Sequence, residues 1–81
     1  MKITIKLFAI LRDRAGVSDL TLDLRNGAHV TDAAAAVAEQ LPQLGDFLPR
    51  VAYAINREYT TPTAELHEGD ELALIPPVSG G

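Results

Sequence analysis

Residues 69–81 read GDELALIPPVSGG, and the placement of this closing stretch decides the fold. Gly69 and Asp70 make a turn, and an apolar run follows at once. Leu72 and Leu74 fall on one face of an extended chain, which leaves Glu71, Ala73 and Ile75 on the other. Pro76 ends the strand because it has no N–H to offer a ladder. Beyond the stiff pair Pro76-Pro77, Val78 and Ser79 lead to Gly80 and Gly81, which bury nothing and have the most backbone freedom to lose on ordering. Residues 75–81 therefore read as an extended Gly-Gly tail held out for use.

A last strand with one apolar face needs a sheet to join, and the preceding sequence supplies it. Residues 2–8 alternate: Ile3, Ile5 and Leu7 point one way, Lys2, Thr4 and Lys6 the other. AILRDRAG then breaks the alternation and stops at Gly16 as a short helical turn or loop. Leu20, Leu22 and Leu24 make a second strand, which Asn26-Gly27 turns off. From Val30 the period changes to that of a helix, with Val30, Ala33, Ala34, Val37, Ala38 and Leu41 on one stripe. Thr31 is the better capping residue by chemistry, although the stripe already begins at Val30. Pro42 closes the helix.

Leu44, Phe47 and Leu48 form a short apolar hook. Residues 51–55 make a third strand, and Asn56-Arg57-Glu58 turns into a short strand around Tyr59. The order strand, strand, helix, strand, short strand, strand predicts an α+β fold with a mixed sheet, its one main helix covering the Leu20, Leu22 and Leu24 face.

Bulk properties narrow the function. Eighty-one residues, 47% of them apolar, make one domain spanning 1–81 with one modest core. There is no cysteine, hence no disulfide, thiolate metal site or cysteine nucleophile. The net charge of -4 argues against a nucleic-acid partner, which demands a basic face. No stretch is long and apolar enough to span a membrane, and MKITIKLFAILRDR is too interrupted by charge for a secretory signal. A cytoplasmic protein is expected.

Catalytic signatures are missing. His29 and His67 lack a ligand partner at helical spacing, so no metal site is expected. Glu65, Glu68, Asp70 and Glu71 read as a solvated turn rather than an acid–base pair. The glycines assemble no phosphate loop, and Ser18 and Ser79 have no base nearby in sequence. One anomaly remains. Strand parity leaves Phe8 and Ile75 on the outer face, where Tyr59 can join them. On the residues alone two readings stand together: ordinary scattered apolar groups, or a binding patch at the base of the tail.

LFAILRDRAG, VAYAINREY and GDELALIPPVSGG resemble the MoaD family, the small subunits of molybdopterin synthase, which are ubiquitin-like β-grasp sulfur carriers. The likeness runs along essentially the whole chain and implies a sheet whose first and last strands are parallel neighbours. It implies that a ubiquitin-activating-like enzyme adenylates the Gly81 carboxylate with ATP, and that a persulfide donor converts it to a thiocarboxylate. That sulfur would pass to a pterin precursor for the molybdenum cofactor. It also implies a heterotetramer with the large subunit and no cofactor bound by this chain. Phe8, Tyr59 and Ile75 match outward residues that pack on the large subunit and on the adenylating enzyme. Side-chain-free Gly80 and Gly81 suit a narrow channel, and Val78 to Gly81 extended would reach roughly 13 Å. The rival readings are a thiamine-type carrier, a ubiquitin-like protein modifier joined to lysine, and a plain structural domain with an inert tail.

Overall fold

Ile3, Ile5 and Leu7 are buried on alternate positions of strand β1 (Lys2–Leu7), as the alternation requires. In the computed structural model, which describes residues 1–77, β1 is followed by α1 (Ala9–Ala15), β2 (Asp19–Asp23), α2 (Val30–Gln40), β3 (Ala52–Ile55), β4 (Glu58–Thr60) and β5 (Glu71–Ile75). Two 3-10 turns, Pro42–Leu44 and Leu48–Arg50, link α2 to β3. The five strands form one mixed sheet in the order β2-β1-β5-β3-β4. β1 lies antiparallel to β2 and parallel to β5, with Ile5 opposite Leu72 and Leu7 opposite Leu74. Parallel neighbours need a long crossover, and here the whole middle of the chain, α2 included, supplies it. The expected α+β arrangement, a sheet clasping one main helix in the β-grasp manner, is what forms.

The core lies between the sheet and the helices. Leu22, Leu72 and Leu74 meet Val30, Ala33 and Val37 of α2, with Leu11 of α1 and Leu44, Leu48 and Leu66 closing the sides. Small alanines let α2 approach the sheet closely, and the stripe read from Val30 is the stripe that packs. Phe47 of the hook lies half-buried against this core under the Arg14 guanidinium, 5.8 Å from its ring centre.

The start of α2 differs in detail from the expectation. His29 takes the capping position, and the Asp32 carboxylate reaches back to accept its backbone N–H at 2.8 Å. The N–H groups of Val30 and Thr31 donate to the carbonyls of Ala64 and Pro62, at 2.9 and 3.0 Å. A distant loop thus satisfies the free donors that a helix leaves at its N-terminus, so no threonine cap is needed. AILRDRAG is a true helix, ended by Gly16 at φ 80°, whose N–H donates to the Arg12 carbonyl. This left-handed position is one that glycine takes without strain.

Candidate functional site

The face of the sheet away from α2 carries the feature of interest. Strand pairing sets its rows. Tyr59 stands opposite Ala54, Ala54 opposite Ala73, and Ala73 opposite Lys6. One row further, Ile75 stands opposite Ala52. The middle of this surface is therefore alanine, and the tall side chains stand around it. Ala54 and Ala73 retain only 4% and 9% of their exposure although no helix covers them. Their neighbours overhang them instead. The result is a groove of about 510 Å³ bounded by Lys6, Phe8, Arg57, Tyr59, Glu71 and Ile75.

Phe8, Tyr59 and Ile75, which parity placed outward, thus come together around one concavity. Phe8 is 45% exposed and Tyr59 77%. Phe8 also occupies the capping position of α1 and makes no side-chain cap there. Serine, threonine, aspartate or asparagine is favoured at such a position, and losing the cap costs about 1 kcal/mol. An exposed ring where a small polar group would stabilise the fold is a local sacrifice. Arg57, which lines the groove, has left-handed backbone at φ 72°, as does Ala9, the residue that follows Phe8 in the chain, at φ 49°. Strain of this kind gathers at functional surfaces.

Charge rings the rim. Lys6 lies 3.8 Å from Asp19 of β2. Among the described residues, neither Arg57 nor the Glu71 carboxylate has an ion-pair partner. An apolar floor with unpaired charges at its edge suits a protein partner better than a reacting small molecule, because it holds no nucleophile paired with a base.

The remaining candidates are accounted for by local structure. Glu68 accepts the Lys2 N–H at 3.1 Å, and Asp70 accepts the His67 N–H at 2.7 Å. His67 does stand between carboxylates, 3.4 Å from Glu65 and 3.8 Å from Asp70. Sequence spacing on a helix could not reveal this, since the three meet on a turn. Among the described residues no three histidine or carboxylate groups assemble a metal-binding cluster. Nor is any helix there long and apolar enough to cross a membrane. On the inner face, burial pushes the Tyr53 phenol up from its ordinary value, in keeping with its place at the core margin.

Of the tail, Pro76 is half-buried and Pro77 exposed, directly beyond Ile75 of the groove. The expectations for Val78, Ser79, Gly80 and Gly81 lie outside the described residues. Parity sets Lys6, Glu71 and Ala73 on the outer face without marking them as site residues, and it leaves Ala54 and Arg57 unplaced. The signal was present in AYAI and ELALI, whose outer positions include Ala52, Ala54 and, at the centre of the last strand, Ala73.

The profile of the ThiS family matches residues 5–81. The chain is similar to the molybdopterin synthase sulfur carrier subunit of Chlamydomonas reinhardtii, 40% identical over the full length of both. It is also 40% identical to the Arabidopsis thaliana protein of the same name, over all of this chain and 84% of that one. The crystal structure of small archaeal modifier protein 1 from Haloferax volcanii superposes with a TM-score of 0.92 at 32% identity, over all of both chains.

Proposed function

The chain belongs to the ThiS family, among its MoaD members, and from this premise we propose that it is the cytoplasmic sulfur carrier subunit of a molybdopterin synthase. One observation carries the reading. Ile75 lines the exposed groove and Pro76 and Pro77 follow it directly in the chain, so a partner that grips the groove also holds the base of the Gly-Gly tail. Gly81 is the sixth residue beyond Ile75, a reach of roughly 20 Å when extended.

In this reading the chain supplies a handle and a reactive end, and its partners supply the chemistry. A ubiquitin-activating-like enzyme joins the Gly81 carboxylate to the AMP part of ATP, releasing pyrophosphate. A persulfide sulfur then bonds to the acyl carbon as AMP leaves, and a thiol cleaves the resulting S–S bond to free the thiocarboxylate. Its soft sulfur is a better nucleophile than the carboxylate oxygen and attacks the pterin precursor inside the large subunit. Hydrolysis returns the carboxylate, and two turnovers furnish the two sulfurs of a dithiolene.

The test is the intact mass of the chain after incubation with the adenylating enzyme, ATP and a persulfide donor. One oxygen-for-sulfur exchange at Gly81 is expected. Adding one residue after Gly81, or Gly81→Leu, abolishes transfer while the melting curve is unchanged, since misplacing a reacting centre by even about 1 Å is costly and β5 ends at Ile75. Transfer by the extended chain would refute the proposal. Similarity to a small archaeal modifier, at 36% identity, favours a second reading in which Gly81 is joined to lysines of other proteins. Isopeptide-linked conjugates in cell extract, with no thiocarboxylate formed, would select it.

A further inference from the structure

The rim of the groove furthest from Phe8 rests on the β3–β4 hairpin, and that hairpin has little to hold it. β4 is three residues long, stands at the sheet edge and pairs with β3 alone. Its turn places Asn56 and Arg57 at φ 49° and 72°, with Ile55 opposite Glu58. Left-handed backbone at both central positions is the hairpin turn for which Asn-Gly is favoured. Here arginine occupies the place where glycine would sit without strain.

Asn56 fastens this turn to the start of β5. Its backbone N–H donates to the Glu71 carbonyl at 2.8 Å. Its side-chain Oδ1 accepts the Glu71 N–H at 3.0 Å, and its Nδ2 donates to Asp70 Oδ1 at 2.9 Å. The other Asp70 oxygen accepts the His67 N–H at 2.7 Å, and the Asp70 side chain is only 13% exposed. Every polar atom of the pair on this contact is thus engaged. The amide can point only one way, because flipping it would set N–H against N–H and oxygen against carboxylate. Asparagine also tolerates the left-handed backbone that this position needs.

We propose that Asn56 and Asp70 are positioning residues for the partner surface: they lock the hairpin onto β5 so that Arg57 and Tyr59 stand at a fixed height over the floor made by Ala54 and Ala73. This rests on the reading of the groove as the carrier's docking site. The strand they lock onto is the strand that contributes Glu71, Ala73 and Ile75 to the same groove, so the clamp ties one wall to the floor. Glycine at residue 56 would ease the turn but make neither side-chain bond. Aspartate there would keep an acceptor for the Glu71 N–H yet set a second carboxylate against Asp70.

The pair can therefore be broken and repaired by exchange. In N56D the donor is lost and the two carboxylates repel. In the double variant N56D/D70N the polarity is reversed, with the residue-70 amide donating to the residue-56 carboxylate and its oxygen still accepting the His67 N–H. The experiment measures amide exchange of the isolated chain, residue by residue, beside its affinity for the large subunit of molybdopterin synthase. N56D should speed exchange at Glu58 and Thr60, whose N–H groups pair with β3, by about tenfold, leave the β1–β2 pair unchanged and lower affinity by a similar factor. The double variant should restore both. N56G, which keeps the turn and removes only the side-chain bonds, should match N56D in exchange and guards against a variant that does not fold. Unaltered exchange at the hairpin, or a defect that the double variant does not repair, overturns the clamp. Hairpin exchange that responds while affinity does not overturns its role in docking. A wild-type chain that fails to bind the large subunit overturns the proposed function, while the exchange still decides whether the clamp exists.

Discussion

The two faces of one sheet, built from alternate residues of the same strands, obey opposite rules. On the inner face Ile3, Ile5, Leu72 and Leu74 are fully buried, and α2 closes over them with Val30, Ala33 and Val37. On the outer face the central strands carry Ala52, Ala54 and Ala73, and the bulk stands at the edges as Phe8, Tyr59 and Ile75. Close packing makes every inner methyl count toward stability. The outer face withholds bulk from its centre and so retains a groove. Apolar residues on the two faces thus serve different ends, and adjacent positions should respond to the same substitution in different ways.

Leu74 and Ile75 offer the sharpest break. Leu74→Asp puts an unpaired charge in the core, a penalty comparable with the whole stability of about 5–15 kcal/mol typical of a domain. Circular dichroism should show an unfolded chain at neutral pH. Ile75→Asp, one residue on, should keep the melting transition and weaken binding of the large subunit by about 2 kcal/mol, near thirtyfold. Phe8→Asp should do the same, and the new carboxylate can even serve as the missing cap of α1. A folded Leu74→Asp, or an unfolded Ile75→Asp, would show that the faces are wrongly assigned.

Filling the groove is a gentler intervention. Ala73→Leu projects from the floor into the groove rather than into the core, so stability should hold. The partner then meets a raised floor, and overpacking of about 1–3 kcal/mol should cut affinity roughly fivefold or more, read by calorimetry. Undiminished binding would mean that the partner does not enter the groove.

The smallest effect concerns the helix start. The His29 N–H donated to Asp32 holds that carboxyl below its ordinary value, and nearby Arg25 and His29 add to the effect. A native value below the unfolded one, which lies near 3.9, means that the ionised carboxylate favours folding. That contribution is complete above the unfolded value and is lost as pH falls through the native one. Asp32→Ala should therefore melt a few degrees below wild type at neutral pH, and the gap should close in acid. A gap independent of pH would assign the effect to something other than the charge.

Much of the arrangement was legible because period is a local property. The alternation in residues 2–7, the change of period at Val30 and the stops at Gly16, Pro42 and Pro76 all follow from neighbours along the chain. Outward parity for Phe8 and Ile75 follows in the same way, since a strand presents its residues to two faces whatever it pairs with. The cap of α2 was not legible, because its donors are met by Pro62 and Ala64, some thirty residues away. Nor was the meeting of His67 with Glu65 and Asp70, which depends on the shape of a turn rather than on a repeat.

What the sequence determined by itself was which residues share a face, where each element stops and the kinship carried by its closing stretch, all consequences of local stereochemistry and order along the chain. What only the tertiary structure decided was the full strand order, with β3 and β4 lying beyond β5. Pairing β5 between β1 and β3 brings Lys6, Ala54 and Ala73 into one row and sets Phe8, Tyr59 and Ile75 around a common groove. The same pairing carries Asp70 to Asn56. Strand order is chosen by burial of the inner face as a whole, a property of the closed core that no single stretch of chain contains.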